Sequence, residues 1–280
     1  MPKSISQKIG GIVKLVIALA ILAIQVYPFL YVIIGSFKTL DDIQKKLPFE
    51  LPSALYLGNY FKVLFSSRVQ TYFKNSIIIM VVTLIILLAL SSMAGFALSR
   101  INFKGRKFLL SYFLIGLMLP FQVALIPLFF IFTRLGILNT YTAVIIPQVA
   151  FSLSYSIYLF YSFYKFLPTD VIESGIIDGC TPMGIFLKLV MPMSSNAILT
   201  IATMQGVFSW NEFICANTFT RTTAMKTVTL GLNDFVGKYG LTDWGATFSM
   251  ITITILPTFI FYFLTSKYMM SGLTAGAVKG

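Results

Sequence analysis

Charged side chains fall along this chain in clusters, and between the clusters lie long apolar runs. Six runs hold no Asp, Glu, Lys or Arg: those between Lys14 and Lys38, Lys74 and Arg100, Lys107 and Arg134, Arg134 and Lys165, Lys188 and Glu212, and Asp243 and Lys267. A hydrocarbon core about 30 Å thick takes about 20 helical residues to cross, and an ionisable side chain inside it is costly. Each run is long enough for one crossing, and none is comfortably long enough for two. The pattern predicts an all-α integral membrane protein with six spanning helices, over 12–37, 75–99, 108–133, 141–166, 194–217 and 245–268. With no soluble domain, low-complexity tract or long-period repeat between them, 1–280 reads as a single transmembrane domain.

The first run follows Lys3, Lys8 and Lys14, like the basic start of a signal peptide, but it exceeds the apolar core of about 7 to 15 residues that such peptides carry. It is expected to stay as an uncleaved anchor. Arg100, Lys104, Arg106 and Lys107 crowd the short loop SRINFKGRK, and basic loops are retained in the cytoplasm. Both termini and the 165–195 segment then share that side, while 38–74, 134–140 and 218–243 face outward. Pro28, Pro120, Pro127, Pro147 and Pro257 lie within charge-free runs. Proline at membrane depth suits kinked helices around a pathway, though it is also simply frequent in membrane helices.

Composition agrees with the pattern. The chain is 57% hydrophobic and 11% charged, against the roughly 25% charged usual in soluble domains. Its formal net charge of +12 is read as attraction to lipid headgroups, not to nucleic acid. Histidine is absent, which removes the commonest general base and metal ligand. Cys180 and Cys215 have no metal-type spacing and read as small apolar packing residues. An intramembrane enzyme is poorly equipped on these grounds, and no metal site is expected.

One stretch breaks the apolar monotony: ESGIIDGCTPMGIFLKLVMP, 173–192. Upstream, Pro168 with Thr169 and Asp170 signals a helix start, with Glu173 in the capping-box position after Asp170. Gly179 is expected to end that helix, Thr181–Pro182 to begin a second, and Pro192 to stop the second. Two helices of about nine residues rise only about 13 Å each, too little to span a bilayer. From Thr169 to Phe186 there is no Lys or Arg, unlike most interfacial helices. A two-helix elbow aimed at another protein explains the stretch better than a float on headgroups.

The spacing Glu173, Ser174, Gly175, Gly179, Leu189, Met191, Pro192 resembles the EAA loop of ATP-binding-cassette import permeases. Ser174 and Gly175 replace the two alanines usual after the glutamate. The segments AGFALSRINFKGR (94–106), LGILNTYTAVIIP (135–147), WNEF (210–213) and GLTAGAVKG (272–280) are similar to the second permease of carbohydrate importers, relatives of the smaller maltose-transport membrane subunit. The resemblance implies a type I ABC importer permease fold in the bacterial cytoplasmic membrane. It makes 167–192 a cytoplasmic coupling loop, with Glu173, Ser174, Gly175, Asp178, Gly179 and Pro192 against a separate ATPase subunit. It further implies a second, different permease, two ATPases that bind ATP and Mg, an extracytoplasmic sugar-binding protein received by 38–74 and 218–243, and no cofactor on this chain.

Substrate candidates are Gln122, Gln205, Trp210, Asn211 and Glu212, with Gln148 comparable to Gln122. Amides bond sugar hydroxyls and an indole stacks on a pyranose face. Glu212 either braces the outer end of the fifth helix or lines a pathway. No GxxxxGK[ST] occurs, so energy must come from outside the chain. A gradient-driven secondary transporter using Glu212 is the alternative, weakened by the absence of a matched broken-helix repeat.

Overall fold

The computed structural model describes residues 5–235 and 242–277, with side chains described for 10–66, 68–235 and 242–266. The start of the basic N-terminal segment, the middle of the 218–243 loop and the last three residues of GLTAGAVKG lie outside the described residues. In chain order the helices are α1 (Ile5–Ser36), α2 (Leu40–Lys45), α3 (Gly58–Leu64), α4 (Ser67–Arg100), α5 (Arg106–Gly116), α6 (Phe121–Arg134), α7 (Tyr141–Lys165), α8 (Thr169–Ile177), α9 (Pro182–Ile185), α10 (Met191–Met193), α11 (Ser195–Trp210), α12 (Ile214–Phe219), α13 (Val228–Gly231) and α14 (Trp244–Ala277). Among the described residues there is no strand. Four helices are long and apolar enough to cross a membrane, or six if each of two bent pairs counts as one span.

One bent pair covers the span expected over 108–133, and the other joins the second arm of the 167–192 loop to the span expected over 194–217. α5 and α6 meet at 93°, and the α9–α10 run meets α11 at 77°. The first corner falls at Leu117–Pro120, with Pro120 extended as the N-cap of α6. A residue before proline is pushed out of the helical region, so the chain turns there. The second corner falls at Ser194, two residues after Pro192. Its backbone N–H turns back to Met191 O at 3.1 Å while its hydroxyl donates to Val190 O at 2.6 Å, a local bond of the kind that bends helices. Pro28, Pro127, Pro147 and Pro257 stay inside unbroken helices.

By its contacts the chain divides into two compact units, Met1–Ser66 with Leu232–Ile255, and Ser67–Gly231 with Leu256–Gly280. In the first, α1 is exposed on every side from Gly10 to Leu30, and its span Gly10–Ser36 has a mean hydropathy of 2.4. A helix apolar all round and left uncovered needs hydrocarbon around it. Past α1 the same unit is polar and tightly bonded. Asn59 donates to Ser36 O and Lys38 O at 3.0 and 2.9 Å, and the buried Lys38 ammonium donates to Leu47 O and Pro48 O. Asp42 accepts from the Ser53 hydroxyl at 2.6 Å and the Ser53 N–H at 3.1 Å. Those bonds hold its carboxyl down at about 2 against the opposing effect of burial, with help from Lys46.

The second unit is built on α4 and α7. At one end, Phe132 packs edge-on against Phe219 at 5.1 Å over Ile79, Val144 and Cys215. Here Asn139 takes a left-handed backbone (φ 60), and its side-chain oxygen accepts the N–H groups of Arg221 and Thr222. Asn75 likewise bridges the Tyr141 hydroxyl to Ala224 O and Lys226 O. At the other end Phe96, Phe160 and Tyr164 form a second cluster with Ile185, Phe186, Val190, Ala197 and Ile201.

Candidate functional site

α8 starts with Pro168 as N-cap and no side chain caps it, so the Asp170–Glu173 capping box expected from the sequence is not formed. The helix begins two residues earlier than an Asp170 cap requires, at Thr169, which leaves Asp170 inside the first turn where its charge faces the helix dipole. The far end closes as the sequence predicts. Gly179 sits at φ +73, its N–H bonds Ile176 O at 3.0 Å, and the Cys180 N–H bonds Gly175 O at 2.9 Å. That pair of bonds is a Schellman closure, and the left-handed residue it needs is strained for anything but glycine. Thr181 Oγ1 then accepts the Gly184 N–H at 3.1 Å and opens the second helix, with Pro182 in its first turn.

Pro192 does not stop that helix. The turn before it, Phe186–Val190, is a π-helical stretch, and α10 carries the proline through to Ser194. A wider turn there lets the chain pass a ring that would collide with the carbonyl of an ordinary preceding turn. The inner side of the elbow is anchored, because Ile185, Phe186 and Val190 are core residues and Gly175 is buried against Leu189. The outer side is free. Glu173, Ser174, Ile176, Ile177 and Asp178 are exposed, Ile177 to 84%.

Arg100 ties the elbow to the bundle. Its guanidinium donates from Nε to Tyr164 O at 2.8 Å, from Nη2 to Leu167 O, and from Nη1 to the Thr169 hydroxyl at 3.4 Å. In the sequence it reads only as a loop charge. Arg106 is similarly engaged, with Ser99 O and Asn102 Oδ1.

A cavity of about 330 Å³ opens in the same unit. Thr83, Gln148, Ser152, Tyr155, Gln205, Ser209 and Glu212 give it polar atoms, and Phe121, Pro147, Phe151 and Phe208 give it apolar walls. The Ser209 hydroxyl donates to Gln148 Oε1 at 2.7 Å. Glu212 accepts the Cys215 N–H at 2.6 Å and the Ala216 N–H at 3.2 Å, capping α12, so the fifth helix ends at Trp210 and does not run to 217. Glu212 also lines the cavity. Among the described residues no lysine or arginine lines the cavity.

Of the other pathway candidates, Gln205 lines this cavity and Gln122, Trp210 and Asn211 do not. Gln122 is exposed, Trp210 is buried beside Phe73 at 5.8 Å, and Asn211 is exposed with its amide on Val207 O. Thr83, Ser152, Tyr155 and Ser209 do not stand out in the sequence. Among the described residues no group of three or more His, Cys, Asp or Glu could hold a metal ion.

The sequence profile of the family described as "binding-protein-dependent transport system inner membrane component" matches residues 87–269. A probable ABC transporter permease, YurM of Bacillus subtilis, is 35% identical over 91% of this chain and 84% of its own. The arabinooligosaccharides permease AraQ of Halalkalibacterium halodurans is 34% identical over 92% of each chain. The trehalose/maltose permease MalG of Thermococcus litoralis is 34% identical over 97% of this chain and 95% of its own. In fold, the chain superposes with TM-score 0.84 on a bacterial ABC transporter involved in alginate import, at 20% identity over 96% of this chain and 99% of that one. The architecture is the type I importer permease fold in an integral protein of the cytoplasmic membrane. The chain belongs to the binding-protein-dependent transport system inner membrane components, the permeases of ABC importers, which work with ATPase and binding-protein partners.

Proposed function

We propose that this chain is a non-catalytic subunit of a sugar importer, with an oligosaccharide as cargo. Support for the cargo comes from relatives named for arabinooligosaccharides and for trehalose and maltose. The observation that carries the mechanism is the two-sided elbow, anchored inwardly by Ile185, Phe186 and Val190 and exposed outwardly at Glu173, Ile177 and Asp178. A rigid, bundle-tied knob of this kind can transmit a partner's closure as a displacement of α7 and α11. Ser174, Gly175, Gly179 and Pro192 shape it, and Glu173 and Asp178 offer charge to the partner. The elbow and both termini lie on the cytoplasmic side, ATP and Mg are bound by two partner ATPases, and a second, different permease completes the pathway. Loops 38–74 and 218–243 meet the extracytoplasmic sugar-binding protein.

The test is reconstitution of the chain with its partner permease, ATPase and binding protein in vesicles. Uptake of labelled oligosaccharide is expected to need ATP and to survive collapse of proton and sodium gradients. Uptake without ATPase subunits, or abolished by ionophores, overturns the reading.

A further inference from the structure

The cavity in the second unit contains more polar capacity than the protein uses. Thr83 is 2% exposed and its hydroxyl has no hydrogen-bond partner. Gln205 is 4% exposed and lines the cavity. Gln148 is 8% exposed and is engaged through its oxygen by Ser209, which leaves its two amide hydrogens free. Buried polar groups are nearly always satisfied, and the Thr83 hydroxyl is left orphaned beside a void that Gln148 and Gln205 also line. Their convergence on a shared space is the mark of a site completed by a polar guest.

Resting on the importer reading above, we propose that this cavity is a binding site for one neutral pyranose residue, formed by this chain without help from a second permease. Its volume of about 330 Å³ is more than a single sugar ring with its hydroxyls fills, so one pyranose residue fits with room for bridging waters. Phe121 and Phe151 stand edge to face at 4.8 Å and, with Phe208, give an apolar wall for the ring's C–H face. Hydroxyls meet the amides of Gln148 and Gln205 and the Thr83 oxygen. Glu212 sets the charge preference. Among the described residues the lining puts no lysine or arginine beside its carboxylate, so a uronate would face a like charge with no cation to offset it. Glu212 has its remaining lone pairs available to accept from a neutral sugar.

The experiment uses the assembled transporter with its ATPase and binding protein, irradiated with photoreactive diazirine glycosides of neutral gluco, galacto, xylo and arabino type, and with the glucuronide as comparison. Peptides covering 147–155 and 205–215 are expected to carry the neutral label at least tenfold above the glucuronide. Thr83→Val with Gln205→Leu is expected to cut that label at least fivefold and sugar uptake about tenfold in a complex that still copurifies with its ATPase. Labelling of neither segment in the wild type, which needs no variant to fold, overturns the proposal, as does equal labelling by the glucuronide. If the wild-type complex imports sugar but these segments stay unlabelled, this site fails and the importer reading stands; if it imports no sugar, both fail.

Discussion

A β-carbon built on Gly175 would lie 2.7 Å from Leu189 Cδ1 and 3.3 Å from Ile185 Cγ1, so the two arms of the elbow touch at a position with no side chain to spare. Leu189 can swing its terminal methyl away, and alanine adds helix propensity of about 1 kcal/mol over glycine. Gly175→Ala is therefore expected to leave thermal stability within about 1 kcal/mol of wild type, whereas Gly175→Ile overpacks the contact at a cost of about 1–3 kcal/mol. Thermal unfolding of the purified complex, read beside copurification of the ATPase, checks the ranking.

Gly179 makes a different demand. A β-carbon added there would meet nothing within 4 Å, so space is not the issue; φ +73 is. A left-handed backbone costs an ordinary L-residue about 1–2 kcal/mol and Asn less. Coupled uptake should fall in the order Gly, Asn, Ala, Val at 179, with ATP hydrolysis becoming less dependent on sugar. An order that follows side-chain size alone, with Asn no better than Val, contradicts this account.

Arg100 reaches three acceptors from one planar group, which lysine cannot reproduce. Hydrogen bonds from a charged donor are worth about 1.5–3 kcal/mol each. Arg100→Ala should expose the 165–169 junction to limited proteolysis and lower uptake, and Arg100→Lys should recover only part of the protection.

Asp42 gives a pH dependence in the first unit. Its carboxyl is held at about 2 against an ordinary 3.8, chiefly by the Ser53 hydroxyl. The folded value is the lower one, so its stabilisation is complete above 3.8 and is lost as pH falls toward 2. Amide exchange over 39–53 should stay slow from neutral pH to about 4 after correction for intrinsic rates, then quicken below. Asp42→Asn should quicken it already at neutral pH and flatten that profile.

How much of this the residues disclose depends on whether the signal is local. The apolar runs mark α1, α4, α7 and α14 because charge exclusion from hydrocarbon acts residue by residue. Gly179 and Thr181–Pro182 mark the elbow because their turn chemistry is settled within four residues. The corners at Pro120 and Ser194 are less legible, since a proline kinks, caps or simply rides in a helix according to the neighbours it packs against, as Pro147 and Pro192 do here. Arg100 resembles a mere topology marker because its acceptors lie at Tyr164, Leu167 and Thr169, far along the chain. The cavity has a subtler trace. Gln148, Phe151, Ser152 and Tyr155 repeat the i, i+3, i+4, i+7 spacing of Gln205, Phe208, Ser209 and Glu212, one face on each of two stretches. Trp210 and Asn211 fall off that face, so their nearness to Glu212 in sequence does not bring them to the cavity.

The outward side of the elbow meets an ATPase in the cytoplasm, and a single cysteine at the exposed Ile177 tests this most directly. In a Cys180→Ser, Cys215→Ala background, Ile177→Cys should cross-link to the ATPase subunit in the assembled transporter and resist a membrane-impermeant thiol reagent added outside sealed right-side-out vesicles. Labelling from outside, or no cross-link in a complex that contains the ATPase, contradicts it.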